Sequence, residues 1–284
     1  MRIGIIGGSG LYEMEGMENI RAEKVITPFG EPSDEFILGS LNGIEMAFLP
    51  RHGKGHKILP SELPFRANIW AMKKLGVDRI ISLSAVGSLK EEIEPGHAVV
   101  IDQFIDRTRG IRDATFFGSG IVGHVTFADP VCNYLAGKVY EATKEIGWTS
   151  HKGGTYVCME GPQFSSRAES HLYRSWKADV IGMTNLQEAK LAREAEICYA
   201  TIALATDYDC WHEEDVTVDQ VLTVMASNIE KSKDAVKAVV TKIKEERDCP
   251  CSTALEFGIV TNPQLIPQQT KNDLDIIIGK YIKS

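Results

Sequence analysis

Ile197-Cys198-Tyr199-Ala200-Thr201-Ile202-Ala203-Leu204-Ala205-Thr206-Asp207-Tyr208-Asp209-Cys210-Trp211 is the stretch on which the reading of this chain turns. The apolar run from Ile197 to Leu204 is short and bounded, so it reads as a buried strand. Two carboxylates, Asp207 and Asp209, follow where that strand should end. In open α/β sheets, ligands bind outside the carboxyl ends of the strands. Residues two apart on extended chain point the same way, so both acids can face one pocket. A solvated turn could carry the same two acids. The large rings of Tyr208 and Trp211 beside them favour a semi-enclosed site.

Other strands end in comparable chemistry. Residues 2–12, RIGIIGGSGLY, read as a strand and a glycine turn. The dinucleotide fingerprint fails there, because its third glycine would fall on Glu13, and no Gly-Lys-Ser/Thr follows for a Walker loop. The turn can still offer backbone N–H groups and the Ser9 hydroxyl to an anion. Residues 36–49 read as a hairpin turned at Asn42-Gly43. Its second strand runs into Pro50-Arg51-His52-Gly53-Lys54-Gly55-His56, a cationic cluster suited to phosphate, with Arg51 as a bidentate fork and His52 as a further donor. The strand at 77–83 leads to Ser84-Ala85-Val86-Gly87-Ser88, small residues that suit an oxyanion or sugar hydroxyls. A strand is expected over 98–104 and a long loop over 106–124, with His124 at its far end. Strands at 154–159 and 178–184 lead to Glu160-Gly161-Pro162-Gln163-Phe164-Ser165 and to Gly182-Met183-Thr184. Phe164 could pack into the core or stack on a planar ligand, and spacing alone favours the core. Helices are expected at 64–75, 133–146, 185–195 and from a capping box at Thr217-Val218-Asp219-Gln220 to about Arg247. That last helix carries Val218, Val221, Leu222, Met225 and Ile229 on one face.

Composition bounds the rest. The 284 residues suffice for a large core, and neither an internal repeat nor a low-complexity linker divides them, so one α/β domain over 1–284 is expected, with a helical tail at about 252–284. A net charge of −8 disfavours a general nucleic-acid binder. No apolar run approaches the roughly 20 residues that span a bilayer, and the first residues enter a strand directly, so a cytoplasmic location is expected. Six cysteines occur. Cys249-Pro250-Cys251 could bind metal only with further ligands, and no nearby His or second Cys pair supplies them. A local disulfide is the sharper reading, and no metal is expected.

The segments IGIIGGSGL, RHGKGH, SLSAVGSL, DQFIDRT, EGPQFSSRAE, IGMTN and ATDYDCW occur in this order. From about residue 2 to about 245 the chain resembles the trimeric purine nucleoside phosphorylase family. The resemblance implies a mixed sheet curled toward a distorted barrel with flanking helices. It implies phosphorolysis of a purine nucleoside, 5′-methylthioadenosine by the best-matching motifs, to adenine and 5-methylthioribose 1-phosphate. No metal or organic cofactor is implied, since phosphate is a co-substrate. Ser9, Arg51, His52, Ser84, Ala85 and Thr184 would hold phosphate, Met183 would lie along the ribose, and Phe164 would stack near the base. Asp207 and Asp209 would meet the adenine edge as the catalytic pair. Val218, Val221 and Leu222 would line the methylthio pocket, with Ser165 and Val218 as specificity positions. His124 would reach a neighbouring subunit's site in a homotrimer or a dimer of trimers, with no nucleic-acid or membrane partner.

The expected chemistry follows. A protonated Asp207, its pKa raised by burial and by Asp209, would donate to N7 of the leaving base. A broader purine nucleoside phosphorylase is the nearest rival, although a 6-oxopurine would be better read by an amide than by Asp207. A hydrolase would lack a use for the cationic cluster, and a nucleotide-sensing module would bind without turnover.

Overall fold

The computed structural model describes residues 1–8, 11, 13–212 and 218–283, with residues 218–222 described as helical backbone only. Among these, eleven strands form one mixed sheet that does not close. They are β1 (Arg2–Gly7), β2 (Met17–Glu23), β3 (Phe36–Leu41), β4 (Ile44–Pro50), β5 (Arg79–Ser88), β6 (Ala98–Val100), β7 (Gln103–Arg107), β8 (Ser150–Lys152), β9 (Thr155–Met159), β10 (Val180–Gly182) and β11 (Cys198–Tyr208). The helices are α1 (Phe65–Lys74), α2 (Asn133–Glu145), α3 (Arg167–Ser175), α4 (Asn185–Glu194), α5 (Val218–Val240), α6 (Gln268–Asp273) and α7 (Asp275–Ile278).

β5 is the axis. β11 runs parallel along one edge of it, from Cys198 beside Arg79 to Tyr208 beside Ser88. The other edge is shared: β1 pairs in parallel with Ile80 and its neighbours, and antiparallel β10 pairs with Gly87 and Ser88. Strand direction therefore reverses along a single edge, the kind of switch point at which α/β sheets bind ligands. β4 lies beyond β1, also parallel. The carboxyl ends of β1, β4, β5 and β11 thus open at one place.

Both faces of the sheet are covered, which is why β11 is buried from Cys198 to Thr206 and apolar without alternation. On one side Phe65, Ile69 and Met72 of α1 pack with Ala189, Leu191 and Ala192 of α4. On the other, Leu135 and Val139 of α2 pack with Ala235, Val236 and Val239 of α5. The tail docks on the α1 side through Leu274, Ile277, Ile278 and Ile282, and the Trp70 indole donates to the Asp273 carbonyl at 3.0 Å.

The Asn42-Gly43 turn has φ of 52° and 77°, as a two-residue hairpin of the primed type requires. The strand expected over 98–104 is instead two, β6 and β7, on different neighbours: β6 pairs with β11 and β8, and β7 with β9. Continuous apolar character concealed the break at Ile101 and Asp102. The long terminal helix is also shorter than its periodicity suggested, with α5 ending at Val240 rather than near Arg247. The capping box at Thr217 lies outside the described residues.

The cysteines overturn the sequence reading. Cys249 and Cys251 are not bonded to each other, and all six cysteines are free thiols. Cys132 at the head of α2 and Cys198 at the start of β11 come together with the Cys-Pro-Cys loop, and the four Sγ atoms lie within 4.8 Å of one another. Their separation along the chain hid the grouping.

Candidate functional site

A cavity of about 590 Å³ opens at the shared strand ends. Its lining includes Gly8, Arg51, His52, Ser84, Ala85, Phe164, Met183, Thr184, Asp207 and Asp209. Ten residues from six separate segments, each read from the sequence as a turn or strand end, therefore meet in one space.

At the acidic end, the strand bends. The β11–β5 register shifts between Ala205 and Asp207, a bulge that re-aims the side chains beyond it. Gly87 sits between the acids: a Cβ there would lie 3.2 Å from Asp207 Oδ1 and 3.4 Å from Asp209 Cβ. Asp209 is pinned by its amide, which donates to the Ser88 carbonyl at 2.9 Å. The Thr206 hydroxyl donates to Asp207 Oδ2 at 2.6 Å. Burial pushes the Asp207 carboxyl up to about 6; the Thr206 hydrogen bond opposes the shift and the Asp209 charge adds to it. Asp209 is also raised, by its burial. The rings expected to enclose the acids stand outside the cavity lining. The Trp211 indole donates to the Ser88 carbonyl at 2.8 Å, and the Tyr208 hydroxyl donates to the Glu91 carbonyl at 3.0 Å. They brace the strand end.

The cationic end departs from the sequence expectation in two ways. Arg51 is 3% exposed and does not present a free fork. Its Nε and one Nη donate to the Glu188 carboxylate, that same Nη donates to Ser82 Oγ at 2.6 Å, and the other Nη donates to the Leu83 carbonyl at 2.9 Å. Of its five N–H groups, one remains for the cavity. Burial works against the guanidinium's charge, but Glu188 outweighs it, so Arg51 stays cationic. His52 is not a second cation. Burial first and the Arg51 charge second lower it to about 4. The neutral ring donates from Nδ1 to the Ile58 carbonyl at 2.8 Å, which leaves Nε2 as an acceptor. His56 stacks on it with ring centroids 4.3 Å apart.

Glu188 lies in the first turn of α4, and Thr184 is the N-cap of that helix, with its hydroxyl unused for capping. Arg51, Ser84 and the N-cap of α4 therefore line one cavity, an arrangement of donors able to hold an anion. Glu188, Thr206 and Arg112 were not identified from sequence, and Gly87 was read there as part of an oxyanion-binding turn rather than as the spacer between the two acids. Arg112, in the 106–124 loop, is 7% exposed; it pairs with Glu160 at 2.7 Å and donates to the Met183 carbonyl, so it ties two walls together. Three arginines in a glycine-containing loop were the available signal; Glu188 had none, reading as one more acid in an amphipathic helix.

Phe164 is 80% exposed at the cavity mouth, which excludes the core assignment. Ser165 is outside the lining; its hydroxyl faces Met159 Sδ at 3.7 Å and its carbonyl accepts from the Cys210 thiol. His124 is exposed and outside its own chain's cavity. Ser9 lies outside the described residues, as do the side chains of Val218, Val221 and Leu222. The same helix face reaches the cavity at Met225.

Comparison with known proteins is consistent across sequence and structure. A family profile described as the phosphorylase superfamily matches residues 2–241. The S-methyl-5′-thioadenosine phosphorylase of Geobacter sulfurreducens is 60% identical over 282 residues, covering 99% of each chain. A methylthioadenosine phosphorylase from an Antarctic soil metagenomic library superposes with a TM-score of 0.94 at 49% identity, covering 97% of this chain and 98% of the other. A mutant adenosine/methylthioadenosine phosphorylase from Schistosoma mansoni, in complex with methylthioadenosine, gives a TM-score of 0.82 at 36% identity, covering 87% and 93%.

Proposed function

This chain belongs to the phosphorylase superfamily, and from that premise we propose that it cleaves 5′-methylthioadenosine with phosphate, releasing adenine and 5-methylthioribose 1-phosphate. The observation that carries the reading is the mixed chemistry of one cavity: Asp207, half-buried, and Asp209, buried, share its lining with Arg51, Ser84, the N-cap of α4 and the apolar Met183.

In this reading phosphate lies on Arg51, Ser84, Ala85 and the head of α4, with the Ser9 hydroxyl as a further donor. An anion there favours the oxocarbenium character that develops at C1′ as the bond to N9 stretches, and it is in position to attack that carbon. Arg51 supplies charge and one directed donor, and the Glu188 pair fixes its orientation. His52 Nε2 accepts a hydrogen bond from the hydroxyl of monoprotonated phosphate. Asp207 accepts from the N6 amino group and, in its protonated form, donates to N7 as the base leaves. Its pKa of about 6 keeps a usable protonated fraction near neutrality. Met183 lies along the ribose, Phe164 covers the base, and the α5 face at Met225, continued by Val218, Val221 and Leu222, takes the methylthio group.

The reaction calls for no metal or organic cofactor. The finer reading includes a homotrimer or a dimer of trimers in the cytoplasm, in which the exposed His124 reaches a neighbouring site. No helix among the described residues is long and apolar enough to cross a membrane. Adenine release from 5′-methylthioadenosine, measured with and without phosphate, tests the proposal. Release that is unchanged without phosphate would make the enzyme a hydrolase.

A further inference from the structure

We infer that Cys132, Cys198, Cys249 and Cys251 form a structural tetrathiolate site for Zn²⁺, remote in role from the substrate cavity. None of the four lines that cavity. They come from three separate segments: the N-cap of α2, the first residue of β11, and the Cys-Pro-Cys loop at the start of the tail. All four Sγ atoms lie within 4.8 Å of one another, and Cys198 and Cys249 are 3.3 Å apart. Tetrahedral zinc with Zn–S bonds of about 2.3 Å sets its sulfurs about 3.8 Å apart. The observed spacing brackets that value. It is well beyond the roughly 2.05 Å of a disulfide.

Three further features favour an ion over four unligated thiols. The site is dry: Cys132, Cys198 and Cys251 are buried, and Cys249 is half-buried. Three divergent segments of a core rarely bring four sulfurs to one point for packing alone, because a thiol is a poor hydrogen-bond partner for another. The adjacent strand also carries a buried cationic donor. Arg79, fully buried, is the register partner of Cys198 on the adjacent parallel strand. Its Nε has no hydrogen-bond partner, while its Nη atoms hold Asp78 and the carbonyls of Lys244 and Glu245 just before the Cys-Pro-Cys loop. A zinc tetrathiolate carries a net charge of about −2, and the unpartnered Arg79 Nε is a buried donor on the strand next to Cys198. The Cys132 sulfur stands at the positive end of α2. Binding would release the thiol protons to solvent and would join the head of the tail to β11 and α2.

The test uses the whole chain, purified under reducing conditions without chelator. Zinc is measured by mass spectrometry of the metal, and thiols are counted by alkylation with and without denaturant. The expected result is about one zinc per chain, four thiols shielded from alkylation until a chelator and denaturant are added together, and a sulfur-to-cobalt charge-transfer band after exchange with Co²⁺. Cys249→Ser should lower zinc content several-fold and alter the cobalt spectrum. It should also lower Tm by several degrees while leaving turnover of 5′-methylthioadenosine at moderate temperature intact. Alkylation protection is read on the unaltered protein, so a poorly folding variant does not blunt the test. Two disulfides under non-reducing conditions, or four thiols that stay alkylatable and bind no Co²⁺ when the ion is supplied, overturn the inference. Neither readout depends on which nucleoside the enzyme cleaves.

Discussion

Asp207 titrates where the pH dependence of turnover should be read. A group that must be protonated to donate is fully competent below its pKa and loses competence above it. With the carboxyl at about 6, kcat/KM should fall about tenfold per pH unit above that value. Asp207→Asn should remove this alkaline limb, weaken cleavage of adenine nucleosides and raise 6-oxopurine cleavage relative to them, since an amide reverses the donor and acceptor pattern. A flat profile in the unaltered enzyme, or an unchanged preference in the variant, removes Asp207 from base recognition. His52 makes a second prediction of opposite sign. Its folded pKa, about 4, lies below the ordinary 6.5. Neutral burial therefore contributes stability that is full above pH 6.5 and is lost as pH falls toward 4. The shift corresponds to on the order of 3 kcal/mol. His52→Asn should flatten the acid limb of stability, measured as Tm between pH 7 and pH 4. A parallel limb in variant and parent would assign the acid sensitivity elsewhere.

At the scale of elements, the buried Arg51–Glu188 ion pair joins α4 to the turn that follows β4. Removing one partner of such a pair leaves an uncompensated charge and costs about 3–5 kcal/mol. Glu188→Gln should therefore be strongly destabilised without phosphate. Because Arg51 then lacks its internal anion, added phosphate should raise the variant's Tm by more than it raises the parent's. Equal phosphate shifts would mean that Arg51 does not face the anion. The α5 helix supplies the other element-level prediction. Met225 is an apolar wall on the helix face that also bears Val218, Val221 and Leu222. Met225→Gln should narrow the preference for 5′-methylthioadenosine over adenosine by about 1–2 kcal/mol, roughly 5- to 30-fold in the ratio of specificity constants. If the ratio holds, the methylthio group lies against another wall.

For the molecule as a whole, the tail is part of the core. Leu255, Ile266, Leu274, Ile277, Ile278 and Ile282 are each at most 6% exposed and pack with α1 and α4. The buried Glu196 fastens the tail further, accepting from the Leu255 amide at 3.1 Å and from the Tyr281 hydroxyl at 2.5 Å. Each apolar side chain contributes about 1.5–3 kcal/mol on burial. Six of them match the whole stability of an ordinary domain, about 5–15 kcal/mol. A chain ending at Ser252 should therefore fail to give a soluble, cooperatively melting protein; a truncated chain with a sharp thermal transition would show the tail to be dispensable. Assembly is tested at the same scale. Light scattering should give about three or six times the 31.4 kDa chain mass, and a fully active monomer would dismiss His124 from the site.

What the residues alone determined is local. A bounded apolar run followed by two acids is a property of contiguous chain, so Asp207 and Asp209 at the end of β11 were legible, as were the glycine turn after β1, the cationic loop after β4 and the Asn42-Gly43 hairpin. Only the tertiary structure decided the state of those groups. Arg51 meets Glu188 across 137 residues of chain, and no local pattern announces that its fork is already occupied. His52 is neutral because of what buries it, not because of what precedes it. Gly87 matters through two aspartates more than a hundred residues away. The cysteines make the same point: Cys198 and Cys249 are 51 positions apart and 3.3 Å apart in space. Periodicity and turn chemistry are written into neighbouring residues, whereas charge state, pairing and ligand sets depend on burial and on partners that only the folded chain brings together.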